Sequence, residues 1–330
     1  MNHPFLGRTG LRISPLVMGT MSFGGDADEA TSEALFNRAL DAGVQTFDCA
    51  NVYAGGRSEE LLGRFIAPHR DRLVVTTKAY FPTGKGPNDR GSSRYHLVQA
   101  VEASLRRLKT DRVDVFFLHR YDESTALDET LRGLEQLIQQ GKILYPAVSN
   151  FSAWQTMKAL GVADSLGLTP IVATQPMYNL VKRQAEVEIL PMAASEGIAV
   201  LPYSPLGGGL LTGKYSAQRQ PDSGRLVDNA MYTTRYGVQD NFVIAGHFTA
   251  LAEELGVHPV TLAIAWVRSH PAVTAPLIGA RNLRQLEPAL AALDFDMSPQ
   301  LRDRISGLSP TPPPATDRNE ESSAHNYGNR

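Results

Sequence analysis

The sequence predicts a closed (β/α)₈ barrel, eight parallel strands each followed by a helix, and three features of the chain predict it. Eight short apolar runs, at residues 16–18, 46–48, 73–78, 113–119, 143–149, 170–175, 199–203 and 275–278, alternate with helical patterns. The runs are apolar nearly throughout rather than at every other position, as strands covered on both faces must be. Polar residues collect at their carboxyl ends, the face on which such barrels carry their sites. An open, doubly wound sheet is the second choice for the same alternation.

Taken in order, residues 5–13 read as two short strands around a turn holding Gly7 and Gly10, placed to plug the bottom of the barrel. Val98, Val101, Leu105 and Leu108 fall on one helical face, as do Leu127, Leu131, Leu134 and Ile138. Gly43 and Gly141 stand where helices should end. Residues 241–255 read as an extra helix between the seventh and eighth units, and the polar, Gly-containing stretch 215–239 as a long loop over the active face. From 309 onward a Pro-rich start gives way to a polar remainder, so the chain divides into one domain, 1–308, and a mobile tail, 309–330.

Composition narrows the partners. Hydrophobic residues make up 42% of the 330 and charged ones 20%, the balance of a folded chain. With 32 Lys and Arg against 34 Asp and Glu, nothing favours nucleic acid or an anionic membrane surface. The single cysteine, Cys49, can form neither an internal disulfide nor a cysteine-based zinc site, which suits a reducing compartment. The eight His residues never fall three to five apart, so local metal-ligand spacing is absent and no metal is expected. Residues 1–14 have no secretory pattern, and no apolar run approaches the roughly 18 residues of a membrane span. A cytoplasmic protein acting on a small molecule is expected; oligomeric state is left open.

The strand ends carry Asp48, Lys78, His119, Ser149-Asn150, Gln175 and Tyr203-Ser204. Each alone has a plain structural use, as a loop cap, a snorkelling lysine or a satisfied core imidazole. Six ends in agreement point to a site instead. Gly208 to Lys214 imitates a phosphate-binding P-loop, but Tyr215 replaces the Ser or Thr that would bind magnesium. No Gly-x-Gly-x-x-Gly occurs, so a Rossmann dinucleotide site has no support.

Asp48-Cys49-Ala50-Asn51-Val52-Tyr53 with Gly55-Gly56-Arg57-Ser58-Glu59, Lys78, and Asp114-Val115-Phe116-Phe117-Leu118-His119 together resemble the aldo-keto reductase superfamily. Val148-Ser149-Asn150, Gln175-Pro176, Tyr203-Ser204-Pro205-Leu206, Leu211-Thr212-Gly213-Lys214-Tyr215 and Leu277-Ile278-Gly279-Ala280-Arg281 extend the resemblance over about residues 5–290. It implies a barrel that binds NADP(H) without a Rossmann fold and reduces carbonyls, with a tetrad on Asp48, Tyr53, Lys78 and His119. It further implies that Tyr203 stacks on the nicotinamide, that Ser149, Asn150 and Gln175 bond its carboxamide, and that Gly19, Thr20 and Met21 border it. Ser204, Leu206, Gly208 and Lys214 would hold the pyrophosphate. Gly279 would also contact the cofactor, and Arg281, with Arg225, would serve the 2′-phosphate; Gln285 either lies near the adenosine phosphate or forms a capping box with Asn282. Where relatives often carry a Glu-Asn pair over adenine, this chain has Pro288-Ala289.

The chemistry can be argued from the residues too. Hydride delivery to a carbonyl builds negative charge on oxygen, which needs a proton donor. A phenol's ordinary pKa of about 10 is high for that task, and an adjacent ammonium lowers it. Tyr53 is then the donor, Lys78 its activator, Asp48 the lysine's anchor and His119 the group that orients the carbonyl. Met21, Phe23, Tyr80, Phe81 and Tyr121 are expected to border a partly apolar substrate pocket, with Arg120 hinting at polar or sugar-like substrates. A small-molecule carbonyl is the expected partner. A cofactor-sensing regulatory protein on the same barrel, like the potassium-channel β subunits, is the alternative; a Schiff-base aldolase using Lys78 is a third.

Overall fold

Each of the eight apolar runs contains a strand in the computed structural model, which describes residues 3–324. The strands are β1 (Val17–Gly19), β2 (Thr46–Asp48), β3 (Val74–Ala79), β4 (Val113–Leu118), β5 (Ile143–Ser149), β6 (Ala173–Gln175), β7 (Ala199–Val200) and β8 (Leu277–Ile278). All pairings between them are parallel, in the order β7-β6-β5-β4-β3-β2-β1-β8. Thr274 and Leu277 donate backbone N–H bonds to the carbonyls of Val200 and Pro202, both 2.9 Å, which joins β8 to the β7 segment and closes the ring. β6, β7 and β8 are shorter than their apolar runs.

The helices are α1 (Glu29–Asp41), α2 (Arg57–Ile66), α3 (Arg94–Leu108), α4 (Leu127–Gln139), α5 (Ala153–Leu166) and α6 (Ile189–Glu196). They continue with α7 (Arg225–Asp228), α8 (Ala230–Tyr236), α9 (Gln239–Glu254), α10 (Pro259–Arg268), α11 (Leu283–Leu290) and α12 (Pro299–Ser306). Their starts follow from the sequence: Asp28, Ser93 and Ser152 accept from the third helical N–H of α1, α3 and α5. Gly43 and Gly141 take left-handed conformations just past α1 and α4. Among the described residues no single helix is long and apolar enough to cross a membrane.

Strand parity sorts the core. Val17, Val74, Val115, Phe117, Ala147, Ala173, Ala199 and Leu277 form one apolar cluster, the packed barrel interior. Their neighbours of opposite parity, Met18, Phe47, Val75, Phe116, Leu118 and Val148, pack instead with residues of α1 to α5. Leu6 and Ile13, both buried, join the interior cluster. The predicted N-terminal plug is therefore present, although only Phe5 and Arg12 form a strand bridge.

The predicted loop 215–239 is a correction: it contains α7 and α8. Leu226, Tyr232 and Tyr236 are buried, and Asn229 caps α8 by accepting from the Met231 N–H. The apolar spacing is too short to stand out from the polar background, yet long enough to anchor two brief helices. Beyond α12, Ser309 is held by Arg183, while most of residues 310–320 are exposed. The predicted tail continues past the described residues.

Candidate active site

Inward parity carried to the carboxyl ends of the strands determines which polar side chains converge. Gly19, Asp48, Lys78, His119, Ser149, Gln175, Tyr203 and Gly279 all share the parity of the interior cluster. Except for Lys78, they line a cavity of about 950 Å³ at that face, near the upper end of the size of ligand clefts.

Asp48 lies at the floor of the cavity and Lys78 beneath it, both essentially inaccessible and joined by a direct ion pair. A buried charge must be paired and hydrogen-bonded. Both are: Asp48 Oδ1 accepts from Thr76 Oγ1 at 2.6 Å and Gln175 Nε2 at 3.0 Å, and Lys78 Nζ also donates to the Cys49 carbonyl at 2.7 Å. Burial opposes charge on Lys78, but Asp48, Tyr53 and Cys49 together outweigh it and hold the ammonium above its ordinary pKa.

Tyr53 lies over this pair, with Lys78 Nζ 5.2 Å from its ring centroid. It enters the cavity from a tight turn in which Ala54, Gly55 and Gly56 are all left-handed. Two glycines take that conformation freely; Ala54 at φ 48° carries strain of about 1–2 kcal/mol that the surrounding structure must hold. Burial pushes the Tyr53 phenol up to about 12. The lowering expected from Lys78 is present but outweighed, by burial first and then by the Asp48 charge.

His119 faces Tyr53 and Phe81 edge-on, at ring separations of 6.1 and 4.9 Å. Burial first, and the Lys78 charge second, push its pKa down to about 3, so the imidazole is neutral. Its Nδ1 is buried with no partner. Asn150, left-handed at φ 57°, donates through Nδ2 to the His119 carbonyl at 2.9 Å and accepts from the Tyr203 hydroxyl at 2.7 Å. Ser149 Oγ donates to the Gln175 carbonyl at 3.0 Å. The residues expected to bond a carboxamide are thus tied to one another as well.

At the far end, Ser204, Gly207, Gly208 and Gly209 are left-handed in succession along the Gly-rich segment, giving a close backbone cradle. A Cβ on Gly208 would come within 2.7 Å of the Tyr232 ring, so α8 packs directly against this segment. Lys214 has its ammonium disfavoured by burial and then by Arg281 and Arg225, which places three cations together. Asp26 pairs with Arg281 at 2.9 Å and reaches Arg225 at 4.0 Å. Gln285 stands where its two expected uses meet. It lines the cavity, and its Oε1 accepts from the Arg281 N–H while Asn282 caps its own N–H.

Four expected positions fall elsewhere. Thr20 is buried, donating to the Asp48 carbonyl at 3.0 Å, and does not line the cavity. Phe23 is a core residue edge-on to Phe65, because the turn after β1 folds its apolar ring under α2. Tyr80 packs on Phe81 and Tyr121 on Phe151 and Trp154, outside the lining. Met21, Phe81 and Arg120 do line it. Met231, Tyr232, Arg235 and Arg284 were not foreseen. The basic and aromatic run within 231–236 is the only signal for the first three, and Arg284 has none.

Residues 15–309 match the profile of the Aldo/keto reductase family. A Bacillus subtilis (strain 168) protein named uncharacterized oxidoreductase YrpG is 36% identical over 323 residues, 94% of this chain and 97% of its own. Probable voltage-gated potassium channel β subunits of Oryza sativa subsp. japonica and Arabidopsis thaliana are 38% and 37% identical. These alignments cover 96% and 95% of this chain, and 99% and 98% of theirs.

Proposed function

The chain belongs to the aldo/keto reductase family, an oxidoreductase family, and we propose that it reduces aldehydes or ketones to alcohols at the expense of NADPH. The observation that carries this reading is the buried Asp48–Lys78 pair beneath the Tyr53 phenol, with a neutral His119 beside it. The chain fits the cofactor at both ends. Left-handed Ser204 and Gly207 to Gly209, with the cations Lys214, Arg225 and Arg281, suit phosphates, and Tyr203 offers a ring face near the tetrad. The preference for the 2′-phosphate form rests on those cations.

When bound, the cofactor supplies hydride to the carbonyl carbon. Tyr53 keeps its proton throughout the neutral range, because burial holds its pKa near 12, and gives it to the carbonyl oxygen as negative charge grows there. Lys78 then stabilises the phenolate, with Asp48 fixing the ammonium in place. Neutral His119 has one ring N–H to offer the carbonyl oxygen and so orients it. Phe81 and Val52 keep that end of the cavity apolar.

The names of the plant relatives favour a second reading, a regulatory protein that senses the cofactor. Incubation with NADPH and a panel of aldehydes, ketones and sugars separates the two. A reductase consumes many equivalents of NADPH per protein, whereas a sensor oxidises at most the equivalent it binds.

A further inference from the structure

Six cationic side chains line the cavity, Arg120, Lys214, Arg225, Arg235, Arg281 and Arg284, against one carboxylate, Asp48. Asp48 is already matched by Lys78. In a chain of net charge −2 so one-sided a lining is built for anions. Lys214, Arg225 and Arg281 act on one another at the phosphate end. Arg120 and Arg235 stand elsewhere. Arg120 follows His119 directly, and the His119 carbonyl is tied through Asn150 to the Tyr203 hydroxyl. Arg235 is the largest charge acting on that same Tyr203, and its guanidinium lies 5.6 Å from the Tyr232 ring centroid. Arg120 therefore flanks the catalytic end, and Arg235 stands between Tyr203 and the Tyr232 ring that Arg225 also approaches, at 5.3 Å.

Among the described residues neither makes an ion pair or a side-chain hydrogen bond, as is also true of Arg284 and Lys214, whereas Arg225 and Arg281 share Asp26. Folding does not require two unpaired arginines in one cavity. The same lining also holds apolar side chains, among them Val52, Phe81 and Met231.

We propose that Arg120 and Arg235 recognise a carboxylate on the carbonyl substrate, making the preferred substrate class an oxo acid with an apolar body. A guanidinium presents a permanently charged fork that matches a carboxylate. Arg235 is half-buried and Arg120 exposed, so solvent screens Arg120 more and Arg235 contributes the larger share. This inference rests on the reductase reading.

The test uses 4-carboxybenzaldehyde and its methyl ester, which differ in the charge. The expected kcat/KM ratio, acid over ester, is roughly ten- to a hundredfold, the worth of a charge-assisted hydrogen bond. That ratio should fall most in Arg235→Ala, less in Arg120→Ala, and reach about one in the double variant. A ratio near one in the parent, or one that the double variant leaves unchanged while NADPH binding weakens, overturns the proposal and assigns these arginines to the cofactor. Calorimetric titration of benzoate into the protein loaded with NADP⁺ needs no turnover. Benzoate binding that is lost in the double variant supports the carboxylate site even if reduction fails; equal binding to both proteins overturns it.

Discussion

The two ends of the cavity are built in opposite ways. At the catalytic end Asp48, Lys78 and Gln175 are buried on strands of the barrel, and Asp48 binds both of the others. At the phosphate end Arg225 and Arg281 sit on a short helix and a loop, about a third exposed, and their only ion-pair partner among the described residues is the half-exposed Asp26. The first is fixed by the barrel before any ligand arrives. The second can exchange one anion for another. Chemistry needs rigid placement, and binding a released cofactor needs contacts that let go.

Removing the proposed proton donor should give the largest effect. Tyr53→Phe keeps the ring and its packing, so the fold and NADPH binding should persist while turnover falls roughly 10²–10⁴-fold. Reduction by the Phe variant at more than a tenth of the parent rate would mean that another group donates. Lys78→Met tests rigidity at the same end. It leaves Asp48 buried without its cation, and breaking such a pair costs about 3–5 kcal/mol. Urea unfolding should show that loss, and Asp48→Asn combined with Lys78→Met should restore part of it. Equal stability of the single and double variants would make the pair unimportant to the fold.

Substitutions at the phosphate end should act on binding alone. Arg281→Ala is expected to weaken NADPH binding roughly ten- to a hundredfold and leave NADH nearly unchanged, since only the 2′-phosphate distinguishes them. Equal losses for both would give Arg281 a purely structural role. Asp26→Ala should do the reverse, because the carboxylate competes for the same guanidinium. An exposed ion pair is worth about 0–1 kcal/mol, so NADPH should bind up to about fivefold tighter. Weaker NADPH binding in that variant would show that Asp26 organises the end rather than competing for it.

The smallest expected effect is an absent one. His119 is held neutral with its pKa near 3, so kcat/KM for reduction should show no ionisation of this imidazole between about pH 5 and 8. Stability carries the cost instead. The unfolded chain takes up the proton below the ordinary value of about 6.5 and the folded one does not, so this contribution is complete above that pH. It is lost as pH falls toward 3. Melting temperature measured against pH should therefore fall less steeply in His119→Gln than in the parent.

The same contrast explains what could be read in advance. Asp48, Lys78, His119 and Gln175 lie at the ends of apolar runs, where inward parity determines their direction, so strand counting alone brings them together. Tyr53 lies off a strand, and its position depends on the left-handed turn at Ala54 to Gly56, which only the family resemblance supplied. Phe23, Tyr80 and Tyr121 went astray because aromatic side chains beside a site serve the core equally well. Arg235 was hidden for another reason. It sits on a helix of seven residues, too short for periodicity to register, and is aimed by the packing of Tyr232 and Tyr236 on the Gly-rich segment.

The account turns on hydride passing from the cofactor to a carbonyl in this cavity. Incubating the protein with NADPH deuterated at the transferred position and a reducible aldehyde, then analysing the alcohol by mass spectrometry, tests that directly. The expected product carries one deuterium on its carbinol carbon, formed over many turnovers by the parent and nearly lost in Tyr53→Phe. NADPH consumed without alcohol, or alcohol without deuterium, would contradict it.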